Sequence, residues 1–185
     1  MKEKNNYSKV TSYEGKVGEV KKVVLLYSGG LDTSVILKWI QDEYKAEVIT
    51  LTVDFGQQED DLEAIKEKAL KFGATKAHIV DAKKEFAQEY ISPLIKANGS
   101  YQGDYHISTV SRYLLAKIAT EVAAAEGADC IAHGCTGRGN DQVRIESTIL
   151  TLNPSLKIID PVREWSMGRD EELEYAKKHG IPVST

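Results

Sequence analysis

Cysteine is scarce: Cys130 and Cys135 are the only two in 185 residues, and they lack C-x-x-C spacing. A disulfide framework and a structural zinc site are thereby excluded, and reduced thiols are expected. Long apolar runs are also missing. The longest, such as Val23 to Tyr27 and Val48 to Val53, fall far short of the roughly 20 residues a membrane helix needs. The Lys-rich start has no apolar core of a signal peptide, so a cytoplasmic protein with no membrane partner is expected. There is no excess of positive charge either: 24 Lys and Arg stand against 28 Asp and Glu, a net charge of -4. No general field draws the chain to nucleic acid, and any anion must be held by a local site. The histidines show no ligand spacing, and no internal repeat or low-complexity tract is present.

What is present is enough apolar material, 42% of residues, for the core of one ordinary domain. Residues 1–20 lack helical or alternating periodicity and are expected to form a flexible leader, with one domain over 21–185. From there short β-branched runs alternate with amphipathic helical stretches. Strands are predicted at Val23 to Tyr27, Glu47 to Val53, Lys76 to Val80, Cys130 to His133 and Lys157 to Ile159. Helices are predicted from Leu31, Glu59, Lys83, Ser108, Asp141 and Arg169, with Pro93 marking a kink or break and Phe86, Tyr90, Ile91, Leu94 and Ile95 facing inward. Strict alternation of strand and helix implies an α/β domain with a doubly wound parallel sheet and helices on both faces.

Ligands in such sheets sit at the carboxyl ends of strands, near the switch point of the strand order. The first strand-to-helix junction spells Ser28-Gly29-Gly30-Leu31-Asp32-Thr33-Ser34. Its glycines allow a tight turn with bare N–H groups, the next helix offers its positive end, and Ser28, Thr33 and Ser34 add hydroxyls: an anion cradle. No Lys follows the glycines, so this is not a Walker A loop, and positive charge must come from a metal or from elsewhere. Asp32 suits a helix cap or a magnesium partner. A second glycine-rich stretch, Gly134 to Asn140, follows the fourth predicted strand. Asn140 and Arg144, four apart on a helix, share a face, and with Asp141 they offer an amide, a guanidinium and a carboxylate, a set suited to an amino acid.

Tyr27-Ser28-Gly29-Gly30-Leu31-Asp32-Thr33-Ser34 resembles the pyrophosphate loop of the N-type ATP pyrophosphatases, and the fuller string resembles argininosuccinate synthetases. His133-Gly134-Cys135-Thr136-Gly137-Arg138-Gly139-Asn140-Asp141-Gln142-Val143-Arg144 is similar to that family's HGxTGKGNDQVR motif, with Arg138 in place of Lys. Tyr105 and Thr109 match a family Tyr and Thr, whereas the segment after Thr109 is one residue shorter than usual and leaves Arg112 without an assigned role.

The resemblance implies an adenine nucleotide alpha hydrolase-like fold of the PP-loop type and ATP-dependent condensation of citrulline with aspartate, releasing AMP and pyrophosphate. ATP and Mg²⁺ would be held at Leu26, Tyr27, Ser28, Gly29, Gly30, Leu31, Asp32, Thr33, Ser34, Val53, His133 and Gly134, with the Val53 backbone meeting the adenine. Aspartate would contact Thr136, Asn140 and Asp141. Citrulline would contact Tyr105, Thr109, Asn140 and Arg144, and Asp32 and Arg144 would act on the reacting groups. Family members continue into a synthetase domain, so partnership with that domain, in cis or in trans, is expected. Another PP-loop adenylating ligase or sulfur transferase, or a module that binds ATP or aspartate without turnover, remains an alternative.

Overall fold

A computed structural model describes residues 9, 11–57, 61–100, 108–136, 139–165 and 167–182. Five strands, β1 (Lys22–Leu26), β2 (Glu47–Asp54), β3 (Lys76–Asp81), β4 (Cys130–Ala132) and β5 (Lys157–Ile159), form one sheet in the order β3-β2-β1-β4-β5. Every pairing is parallel. The chain starts in the middle of the sheet, builds outward through β2 and β3, and returns to the other side of β1 with β4. The switch point therefore lies between the carboxyl ends of β1 and β4.

Alternation along β1 sends Val23, Leu25 and Tyr27 to one face and Val24 and Leu26 to the other. The first face is covered by α1 (Leu31–Tyr44), α2 (Leu62–Lys71) and α8 (Arg169–Lys178), through Val35, Ile36, Ile40, Ala69 and Ala176. The opposite face packs on α5 (Ser111–Glu126) and α6 (Asp141–Leu152), through Leu114, Ala119, Ile145 and Ile149. Burial on both faces explains why β1 and β2 read as continuous apolar runs. Trp39 and Trp165 meet edge to face at 5.9 Å as packing residues. No helix among the described residues is long and apolar enough to cross a membrane.

Four features differ from the sequence expectation. Between β3 and α5 the helical stretch is composite: α3 (Lys83–Glu85), a π-helical segment Phe86–Ile91, then α4 (Ser92–Lys96). Pro93 near the start of α4 lacks an N–H, and the wider π turns before it absorb that lost bond without a break. Ile95, expected inside, is 65% exposed. Part of the expected leader is anchored: Glu14 bridges to Ile158, with Ile158 N–H donating to Tyr13 O and Gly15 N–H to Ile158 O, both at 2.8 Å. Residues 11–20 thus cover the otherwise open edge of β5, and Val20 is buried. A short helix not expected from sequence, α7 (Pro161–Glu164), follows β5.

Candidate functional site

A cavity of about 880 Å³ opens at the switch point, between the ends of β1, β2 and β4 and the walls made by the π-helical segment, α5 and α6. Leu26, Tyr27, Ser28, Thr33, Val53, His133, Gly134 and Asp141, all singled out in the sequence, line it. Parallel pairing causes this convergence, because strands running the same way deliver their following loops to one edge. Gly134 of the second loop lies against the first turns of α1: a Cβ there would lie 3.0 Å from Ile36 and 3.7 Å from Thr33.

The first loop is fixed from behind. Gly29 has φ +78°, and a Cβ there would meet Ile65 of α2 at 2.8 Å, so its peptide lies flat against α2. Lys68, also on α2, donates from Nζ to Gly29 O at 2.6 Å, and burial lowers its pKa. Lys68 supplies, from a helix 39 residues away, a cation that the loop sequence lacks. Ser28 Oγ and Thr33 Oγ1 lie 3.2 Å apart at the mouth.

Two expectations for this loop need correction. Ser34 is fully buried, donating to Gly30 O at 2.6 Å and paired with Tyr27 OH at 2.9 Å, so its hydroxyl secures the turn and does not face the cavity. Asp32 is not the cap of α1, since Gly30 holds that position without a side-chain bond. The Asp32 carboxylate instead pairs with Arg169 of α8 at 2.6 Å. Leu31 packs on the core beneath.

At the end of β2 the Phe55 N–H donates to Gln57 Oε1 at 2.8 Å, and Gln57 Nε2 donates to Val53 O at 3.2 Å. Asp54 accepts from Gly56 N–H at 2.8 Å and from Lys83 at 2.5 Å, and these bonds hold its carboxyl below the usual range.

Across the cavity, Asp141 opens α6 and is shared by two guanidinium groups. Arg112 Nε donates to Oδ2 and Arg144 NH1 to Oδ1, both at 3.0 Å. Sequence reasoning left Arg112 without a role, and no local signal would have placed it, because the pairing joins the start of α5 to the start of α6. One carboxylate and two guanidinium groups leave a net positive charge, which suits a carboxylate ligand. Asn140 sits at the N-cap of α6 with no side-chain cap bond, exposed like Thr136, and Thr109 lies in the 3-10 turn before α5. Tyr105, Gly137 and Arg138 lie outside the described residues.

Beneath the β4 loop, His133, Glu146 and Asp160 are all at least nine-tenths buried. His133 Nε2 lies 3.3 Å from Glu146, and Arg163 Nε lies 2.8 Å from Asp160. The donor atoms of the three residues lie within 4.8 Å of one another, a spacing a cation accepts, but the Arg163 guanidinium already supplies positive charge there. Burial alone would lower the His133 pKa, yet Cys135, Glu146 and Asp160 raise it to about 9. Burial pushes the Asp160 carboxyl up, with His133 and Arg163 opposing. A protonated His133 makes the set electrically balanced, two acids against two bases.

Comparison with known proteins agrees with this geometry. A solved U34-tRNA thiolase from Methanococcus maripaludis, carrying a [4Fe-4S] cluster, superposes with a TM-score of 0.58 over 94% of this chain and 59% of its own, at 20% identity, which shows a shared fold alone. Argininosuccinate synthase from Pyrococcus furiosus is 58% identical over 164 residues, covering 88% of this chain and 40% of the relative. That from Symbiobacterium thermophilum is 54% identical, covering 88% and 41%. The chain therefore spans about two fifths of the length of these curated relatives. The family described as arginosuccinate synthase N-terminal HUP domain matches residues 22–182, and this chain belongs to the argininosuccinate synthase family.

Proposed function

We propose that this chain is the nucleotide-binding part of an argininosuccinate synthase, which joins citrulline to aspartate at the expense of ATP, with AMP and pyrophosphate as the other products. The observation that carries this reading is the convergence of Ser28 and Thr33 at the first loop, the end of β2, and the Arg112–Asp141 pair on one cavity, with Arg144 bonded to Asp141 behind it. Each wall matches one part of the reaction. The triphosphate takes the amides of the first loop and the positive end of α1, where departing pyrophosphate develops charge. The base lies toward Val53 and Phe55. The guanidinium groups of Arg112 and Arg144 orient carboxylates so that the ureido oxygen of citrulline faces the α-phosphorus, and alignment supplies much of the rate. No protein nucleophile is required. The aspartate amine then displaces AMP.

Mg²⁺ fits the loop, because Ser28, Thr33 and Asp32 present hard oxygen donors, and the Asp32 side chain is 55% exposed though shared with Arg169. When bound, the ion neutralises charge on the phosphates. Since ATP, citrulline and aspartate are free metabolites, we place the reaction in the cytoplasm. The synthetase region typical of the family, in cis or in trans, completes the cavity against water.

The test is titration of the chain with ATP and Mg²⁺, followed by pyrophosphate release with citrulline and aspartate when the downstream region is fused or added. Micromolar ATP binding with turnover restored by that region is expected. Absence of ATP binding, or turnover indifferent to either amino acid, overturns the reading.

A further inference from the structure

The end of β2 offers two backbone groups to the cavity, the Val53 carbonyl and, two residues on, the Phe55 N–H. In this structure both are taken by one side chain, since Gln57 Oε1 accepts from Phe55 N–H at 2.8 Å and Gln57 Nε2 donates to Val53 O at 3.2 Å. A primary carboxamide presents a donor beside an acceptor. Adenine presents the same pair along one edge, an exocyclic N6–H donor next to the N1 acceptor. Guanine presents the reverse, with its O6 acceptor where the donor is needed. Val53, Phe55, Gly56 and Gln57 all line the cavity, so the pair is open to a ligand once the side chain swings away. Gln57 is itself exposed, and among the described residues its carboxamide bonds to these two backbone groups alone, so nothing in the core resists that swing.

We propose that the Gln57 carboxamide is an internal stand-in for the adenine edge: it keeps the Val53 carbonyl and Phe55 N–H satisfied in the empty site, and adenine binds by displacing it. The inference rests on the nucleotide reading above and adds to it a competitor within the chain. Two consequences follow from the exchange. Binding affinity is reduced by the fraction of molecules in which the side chain covers the pair. Selectivity for adenine over guanine comes from the backbone pair, because a base with an acceptor opposite Val53 O cannot replace the amide's bonds.

The test compares the wild-type chain with Gln57→Met, which keeps length and removes both polar atoms, and with Gln57→Leu as a second variant. Isothermal titration with ATP, AMP and GTP is run on each, with far-UV circular dichroism as the folding control. Tightening of ATP and AMP by about three- to tenfold is expected, from the loss of two neutral hydrogen bonds that must otherwise be exchanged, with no gain for GTP. Amide hydrogen exchange at Phe55 in the ligand-free variants should be faster than in wild type and slow again when AMP is added. Equal or weaker ATP binding by both variants, with wild type binding normally, overturns the stand-in role alone. Failure of all three proteins to bind any adenine nucleotide overturns the nucleotide reading as well.

Discussion

Arg112 at the start of α5 and Asp141 at the start of α6 are joined at 3.0 Å, and the same carboxylate takes Arg144 at 3.0 Å. The carboxylate thus holds two guanidinium groups in a fixed spacing, Arg112 at the cavity wall and Arg144 behind it. The position of either guanidinium is set by the frame that Asp141 provides.

Replacing Asp141 with Asn should therefore disturb amino-acid binding more than folding. The three side chains are between 28% and 38% exposed, and ion pairs that accessible contribute about 0–1 kcal/mol. Urea melts should shift by no more than that. Calorimetric affinity for aspartate, measured with the downstream region supplied, should fall at least about tenfold, since the variant loses the charge that holds both guanidinium groups in position. ATP affinity should stay within about threefold of wild type. Equal loss for ATP would show that the cluster belongs to the nucleotide.

The adjacent glycines of the first loop should behave differently. Gly29→Ala forces a Cβ into a φ of +78° and to within 2.8 Å of Ile65, and should cost about 1–3 kcal/mol of stability. Gly30 has φ -67°, and its added Cβ would meet only Ser28 Oγ at an ordinary 3.4 Å. Gly30→Ala should melt like wild type while binding ATP more weakly, if its amide approaches phosphate. Thermal melts and ATP titrations separate the two outcomes.

Lys68→Met removes the bond to Gly29 O without opening the core, because Lys68 lies at the partly exposed side of α2. ATP affinity should drop by about tenfold, the scale of one charged hydrogen bond, with a melting temperature close to wild type. Unchanged affinity would mean that the loop holds its shape through Gly29 and Ser34 alone.

His133 gives a pH signature. Its folded pKa of about 9 exceeds the ordinary 6.5, so between those values the folded chain keeps a proton that the unfolded chain has lost. The stabilisation is fully present below 6.5 and disappears as pH rises through about 9. Stability by urea denaturation should decline by on the order of 2–3 kcal/mol across that window. His133→Gln should flatten the decline, while leaving Glu146 and Asp160 opposite Arg163. A stability profile that rises toward alkaline pH would contradict the protonated state.

The turn after β1 was legible because its residues are contiguous: Ser28, Gly29 and Gly30 need only a preceding strand and a following helix to converge. The same holds for α6, where Asp141 and Arg144 are one turn apart. Less legible was the use of each side chain. Ser34 looks like any loop hydroxyl in a string of letters, yet its position one turn into α1 aims it at Gly30 O and the buried Tyr27 hydroxyl. Pro93 signals a disturbed helix, but whether the chain breaks or widens into π turns depends on what packs against it; here Phe86 and Tyr90 hold the segment to the core.

Sequence by itself determined the alternation of apolar strands and amphipathic helices, and with it a parallel sheet whose loops gather at one edge. It also determined which local backbone can receive an anion. The tertiary structure alone decided the partners across that edge: Lys68 behind Gly29, Arg169 on Asp32, and Arg112 on Asp141. These pairs are separated by 39, 137 and 29 residues, and no periodicity encodes such distances. Each arises because a helix, placed by the apolar face it buries, carries a charged side chain on its rim to wherever the packing leaves it. The glycine loop after β1 is thus a property of the chain's local order, while the charges set beside it are a property of how the helices pack.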